Sequence, residues 1–266
     1  MQLQTSCDLT FDILVPTPFV FMLRPRSGAQ QWVSSEEYSL SPVVQPSEFT
    51  DNFGNLCQRL VAPVGSFSIR TRAIVTVPDI TRREPGGAFI EIQNLPSSTL
   101  CYLLPSRYCE SEHFSRMAAE ITAGQRWGYD QVAAIENWVR TSIRYELSGS
   151  DAPVAASEVN ARQWGVCRDL AHLGITLCRS LCIPARLVVG YLHGLYPMEM
   201  HAWFEAYVAG RWYTFDPTQT DLKGGYVVLG YGRDAADVAV YNQFGPAVYP
   251  TSKTIMVESL EEGIQS

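Results

Sequence analysis

A chain of 266 residues with 46% hydrophobic and 18% charged residues can bury a full core in one large or two ordinary domains, which excludes a disordered protein. Its 27 acidic against 20 basic residues leave a formal charge of −7 without a basic stripe, which excludes a nucleic-acid surface and favours a neutral or cationic substrate. Seven cysteines at irregular spacing read as reduced thiols of a cytoplasmic protein, and the interrupted apolar run over residues 11–23 reads as neither a signal peptide nor a membrane span.

The first 78 residues have the period of strands. Leu9, Phe11 and Ile13 alternate with polar residues, residues 19–23 form an apolar run, and residues 66–73 alternate again. Asp51-Asn52-Phe53-Gly54-Asn55 is a turn between two hairpin strands. Several short strands without a helical period predict an antiparallel β-sandwich over residues 1–107. A proline-punctuated connector over residues 79–107 predicts a boundary, with a second domain over residues 108–266.

After the connector the period becomes helical. Ser111 is expected to cap a helix through Thr122 that ends at Gly124, and residues 129–143 carry Val132, Ile135, Trp138 and Val139 on one stripe. Residues 148–153 read as a loop, and residues 155–159 lead to the segment Trp164-Gly165-Val166-Cys167-Arg168-Asp169-Leu170-Ala171-His172. From Cys167 onward Leu170, Leu173, Leu177 and Leu181 recur at helical spacing, so the thiol sits at a helix N-terminus. Unpaired amides and the macrodipole favour an anion there, and the thiolate is the reactive form of cysteine. Ile183-Pro184 breaks the helix, residues 185–192 are a buried strand, and residues 193–200 form a rim before His201. Residues 226–230 and 254–261 read as further strands before a short acidic tail.

His201 and Asp216 flank a hairpin whose turn is Ala209-Gly210. With a two- or four-residue loop, Val208 opposes Arg211 and Trp203 opposes Asp216, so the carboxylate becomes the diagonal neighbour of His201 on one face. A three-residue loop puts Asp216 on the other face. Cys167, His201 and Asp216 thus form a candidate set of nucleophile, base and orienting group, with the Cys167 amide as one oxyanion donor.

Competing readings attach to several residues. His172 lies five positions from Cys167, about 140° around a helix, and reads as structural; His113 and His193 have no role in the set. Asp169 is expected to cap or pair locally, with Arg186 as one partner. Cys178 and Cys182 read as core thiols, since a zinc site built on them lacks a second ligand pair. Gly232-Arg233-Asp234 reads as a turn, and Glu199 and Glu205 lack the second half of a glycosidase.

The segments Gly165–His172, residues 181–192, His201-Ala202-Trp203-Phe204-Glu205 and Phe215-Asp216-Pro217-Thr218 resemble the core of the transglutaminase-like superfamily. The resemblance covers residues 110–245 and extends through Tyr231–Val238 to bacterial proteins of that superfamily assigned as cysteine proteases. It implies an α+β protein: a papain-like core with the nucleophile on a helix packed against an antiparallel sheet, preceded by a β domain. It also implies Cys167, His201 and Asp216 as the triad. The expected activity is hydrolysis of a peptide or side-chain amide through a Cys167 thioester, with no metal or organic cofactor and a peptide or protein amide as partner. The alternatives are a transglutaminase, a silent scaffold that kept the fold, and a partner-binding role for the sandwich marked by an exposed apolar patch.

Overall fold

The computed structural model describes residues 1–28, 30–147 and 152–260. In chain order the elements begin with strands β1 (Gln2–Ile13), β2 (Thr17–Phe21), β3 (Trp32–Ser41), β4 (Ser47–Thr50), β5 (Leu56–Ala62) and β6 (Gly65–Thr76). Helices α1 (Ser115–Ile121) and α2 (Tyr129–Ser142), short strand β7 (Arg144–Tyr145), helix α3 (Ala156–Arg162), short strand β8 (Trp164–Gly165) and helix α4 (Cys167–Ser180) follow. The chain closes with β9 (Ala185–Leu192), β10 (His201–Val208), β11 (Arg211–Phe215), β12 (Tyr226–Gly232), β13 (Tyr241–Gln243) and β14 (Pro250–Ser259). This is the α+β architecture expected, and three four-stranded sheets carry it.

Two sheets, ordered β14-β1-β6-β3 and β13-β2-β5-β4, pack face to face. The alternation in β1 has its expected consequence: Leu3, Cys7, Leu9, Phe11 and Ile13 are all buried. Phe11, Phe19, Phe21 and Tyr241 make an aromatic cluster with ring centroids 5.0–6.2 Å apart between those sheets. In the turn at residues 51–55 the Asp51 carboxylate accepts the N–H groups of Phe53 and Asn55. Leu14, Val15, Val61 and Val64 are exposed near one end of these sheets.

The sheets do not divide at residue 107. β13 pairs with β2 and β14 with β1, so residues 241–259 return to the N-terminal sheets instead of extending the third one. That pairing covers one edge of the long strand β1 and makes β14 the edge strand in its place. The loop expected at residues 148–153 and the acidic tail lie largely or wholly outside the described residues.

The third sheet, ordered β11-β10-β9-β12 and antiparallel throughout, carries α4 on one face. Its edge strand β12 is closed by amide side chains from the sandwich. Gln31 exchanges two hydrogen bonds with the backbone of Val228 (2.7 and 2.8 Å), and Asn55 two with that of Tyr231 (both 2.7 Å). These bonds replace strand pairing and lock the sandwich to the site-bearing sheet.

Helix boundaries depart from expectation in two places. A 3-10 turn, Ser111–His113, precedes α1, which starts at Ser115 without a side-chain cap, so Ser111 is not the capping residue; Gly124 ends the segment with φ +77. Helix α3 lies in the segment expected only to lead toward Cys167; its seven residues are too few to show a period in the sequence.

Gly174 sets the distance between α4 and β10, since a Cβ built there lies 2.6 Å from the Phe204 ring. Glycine to alanine within a helix ordinarily stabilises by about 1 kcal/mol. Here overpacking, worth about 1–3 kcal/mol, reverses the sign. Gly174→Ala is therefore expected to lower the melting temperature by about 5 °C in a thermal scan; an increase would show that Phe204 yields freely.

Candidate active site

Cys167 opens α4 because the sequence builds a cap there. The Asp169 carboxylate, at the third helical position, accepts the N–H of Val166 (3.3 Å), so the helix starts at Cys167. Asp169 is fully buried and also takes Arg162 (2.8 Å) and Arg168 (3.3 Å). Its pairing is thus local, as expected, but Arg186 is elsewhere: it pairs with Glu205 (2.6 Å) and lies between the rings of Trp212 and Tyr231 (4.1 and 3.8 Å). The Cys167 N–H makes no backbone hydrogen bond to a described residue, which leaves a donor beside the half-buried sulfur.

The β10–β11 hairpin has the two-residue turn. Ala209 and Gly210 both adopt positive φ (50 and 82), and the register runs from Val208 opposite Arg211 to Phe204 opposite Phe215. That register brings His201 and Asp216 together: the ring Nε2 lies 2.6 Å from the Asp216 Oδ2, and both side chains are buried. Nδ1 of His201 is buried without a hydrogen-bond partner. Burial disfavours the imidazolium, but the charge and hydrogen bond of Asp216, together with Cys167, outweigh it and push the ring up to about 10. For Asp216, burial acts to raise the pKa, while His201 and Thr218 hold the carboxyl below its ordinary range.

Asp216 is itself fully bonded. Oδ1 accepts from the Thr218 N–H (3.0 Å) and hydroxyl (2.7 Å), and Oδ2 also accepts from the Tyr226 hydroxyl (3.0 Å). Its N–H donates to Glu136 (2.8 Å) and its carbonyl accepts from Arg140 (3.0 Å), the two being an ion pair one turn apart on α2. Trp203 lies between, its ring 5.9 Å from His201 and 4.8 Å from Tyr226. Sequence reading missed Glu136, Arg140 and Tyr226. The i, i+4 spacing of Glu136 and Arg140 is visible in the sequence, but nothing local shows that the pair meets the Asp216 backbone.

The rivals stand apart. His172 is buried, accepts the Ala235 N–H at Nε2 (3.1 Å) and stacks on Tyr108; burial pulls it down to about 4, so it is a neutral structural group. Asp234 is a turn group accepting the N–H groups of Tyr108 and Ala236 (both 2.8 Å). Glu199 pairs with Lys253 (2.6 Å). Among the described residues no cluster of three or more His, Cys, Asp or Glu is placed to hold a metal. Cys182 is exposed and not core: α4 ends at Ser180, and Cys182 takes positive φ (59) while the Ile183 N–H reaches back to Cys178 (3.0 Å). Cys101 is exposed too, whereas burial pushes Cys7 and Cys109 up to about 12 and Cys57 to about 11.

Residues 115–217, the span that holds Cys167, His201 and Asp216, match the model of the transglutaminase-like superfamily. A crystal structure from Cytophaga hutchinsonii, described provisionally as a cysteine protease, superimposes with a TM-score of 0.89 at 33% identity, over 98% of this chain and 91% of that one. The chain belongs to the transglutaminase-like superfamily. Uncharacterized mycobacterial proteins are also similar: one from Mycobacterium leprae is 26% identical over 233 residues, 82% of each chain. Another, from Mycobacterium tuberculosis, is 32% identical over 115 residues, 38% of this chain and 37% of that one. Superfamily membership and the Cytophaga likeness support a cysteine-dependent enzyme.

Proposed function

We propose that this protein hydrolyses a peptide or side-chain amide bond through a Cys167 thioester, with His201 as the proton carrier and Asp216 as its orienting group. The observation that carries the reading is the His201–Asp216 pair, 2.6 Å apart and buried, beside a cleft of about 500 Å³ that Cys167 and His201 share. A ring held near a pKa of about 10 keeps its proton at neutral pH, so the imidazolium stands ready beside the sulfur.

In this mechanism the thiolate attacks the scissile carbonyl, and the Cys167 N–H donates to the developing oxyanion. The C–N bond then breaks as the proton on His201 Nδ1 passes to the leaving amine, giving the thioester and free amine. Water next attacks the thioester while His201 takes a proton from it. Collapse releases the acid and regenerates the thiolate–imidazolium pair. Asp216 accepts from Nε2 throughout and fixes the ring orientation. No cofactor enters these steps. A cytoplasmic location belongs to the same proposal and is supported by seven free thiols; among the described residues no helix is long and apolar enough to cross a membrane.

The test is iodoacetamide labelling of each cysteine against pH, read by mass spectrometry. Below about pH 7, Cys167 is expected to label at least tenfold faster than the exposed Cys101 and Cys182, and His201→Ala is expected to abolish that advantage. Equal rates for Cys167, Cys101 and Cys182 in the wild type would reject the catalytic reading in favour of a silent scaffold. Product analysis with and without an added primary amine then separates hydrolysis from transfer to lysine.

A further inference from the structure

The cleft at Cys167 has a charge opposite to that of the chain. Beside the His201 ring, its charged wall residues are Arg107 and Arg168, and no aspartate or glutamate lines it among the described residues. Net charge sums the whole surface, but at physiological ionic strength a charge is screened beyond about 8 Å, so the local pair governs what binds there.

The fold holds Arg107 in place. It occupies a tight turn closed by two backbone hydrogen bonds between Ser106 and Cys109 (3.0 and 3.2 Å). Tyr108, next in the turn, donates its N–H to Asp234 (2.8 Å), accepts from Ala156 (2.9 Å), and stacks its ring at 5.3 Å on buried His172. The Arg107 guanidinium rests over that fixed ring at 5.3 Å. Buried Arg179 ties the same turn to α4 through the Leu104 carbonyl and the Ser106 hydroxyl (both 3.0 Å). Among the described residues no carboxylate pairs with Arg107, whereas Arg168 is held by Asp169 and by the Ala152 carbonyl (3.1 Å). Much of the remaining wall is small and apolar, with Val189, Ala235, Ala236 and Val238.

We infer that this cleft selects an acyl donor bearing a carboxylate within a residue or two of the scissile amide, beside a small apolar side chain. The inference rests on the proposed acyl-transfer reading and reverses the neutral or cationic substrate expected from net charge. Arg107 is the specificity residue. A planar guanidinium on a rigid turn meets a carboxylate with two parallel hydrogen bonds, at less entropic cost than a free surface arginine.

The test compares iodoacetate with iodoacetamide at Cys167, taking the rate ratio relative to exposed Cys182 in the same sample. The wild-type ratio is expected to exceed that of Cys182 about tenfold at low salt, falling several-fold in Arg107→Gln and about tenfold in Arg107→Glu. His201 also attracts the anion, so the change on substituting Arg107 is the decisive quantity. A ratio unchanged in Arg107→Glu, with the variant folded by circular dichroism, overturns the inference while leaving the acyl-transfer reading intact. Failure of Cys167 to react faster than Cys182 with either reagent overturns both.

Fluorogenic peptide amides supply the second measurement, with acidic, neutral or basic residues before the scissile bond. Acidic peptides are expected to show about tenfold higher kcat/KM, through KM, and Arg107→Glu is expected to reverse the order. Paired peptides with the carboxylate on a side chain or at a free C-terminus distinguish its two sources. Equal kcat/KM across the panel overturns the inference.

Discussion

Cys167→Ala is expected to remove amide hydrolysis altogether, lowering kcat by about 10⁵–10⁶ toward the background left by binding alone. In the proposed mechanism the sulfur is the group that bonds covalently to substrate, so without it no thioester forms for water to attack. The fold should survive the change. Cys167 is half-buried, its helix is capped by Asp169 and not by its own side chain, and loss of one sulfur leaves the core of α4 untouched. A melting temperature within a few degrees of wild type, beside complete loss of turnover and of fast labelling, is the expected pair of results. Full activity in Cys167→Ala would assign the chemistry to another group. Cys101 and Cys182 serve as internal controls because both are exposed.

The parts of this site legible in the sequence are those fixed by short-range geometry. A two-residue turn sets the register of β10 against β11, and register sets the face on which His201 and Asp216 project; the reading needed no more than alternation. The N-terminal position of Cys167 followed from helical spacing in the same way. What was not legible depends on chain segments far apart in sequence. Residues 241–259 return to β1 and β2 because those strands had free edges, which no local pattern in β13 or β14 announces. The Glu136–Arg140 pair reaches the Asp216 backbone across 76 to 80 residues. Cys182 follows Cys178 by one helical turn and read as core, yet the helix ends before it and the chain turns out to solvent. The charge of the cleft was not legible either, since composition weighs every surface residue equally whereas the fold collects two arginines at one wall.

Asp216→Asn is the sharpest test of the buried pair, because it is read both in the rate and in the pH dependence of stability. Turnover is expected to fall about 10⁴-fold, since an amide does not stabilise the imidazolium and can hold the wrong tautomer. Stability at pH 5–6 should fall by about 3–5 kcal/mol, the usual cost of breaking a buried ion pair from one side. In the wild type the folded ring is raised to about 10, so the unfolded chain binds fewer protons between about pH 6.5 and 10. The stabilisation from the pair is therefore complete below about pH 6.5 and is lost as pH rises toward 10. Asp216, held below its ordinary range, adds a second limb that is complete above about pH 4 and is lost as pH falls. In Asp216→Asn both limbs vanish. Burial then dominates at His201 and depresses its pKa, so the variant is expected to lose stability on acidification below about pH 6.5 and to be flat above it. Chemical denaturation across pH 4–10, taken as the difference between the two proteins, reads this directly. Parallel curves would mean that His201 is neutral in the folded protein, and the thiolate would then lack the cation that the proposed mechanism assigns to it.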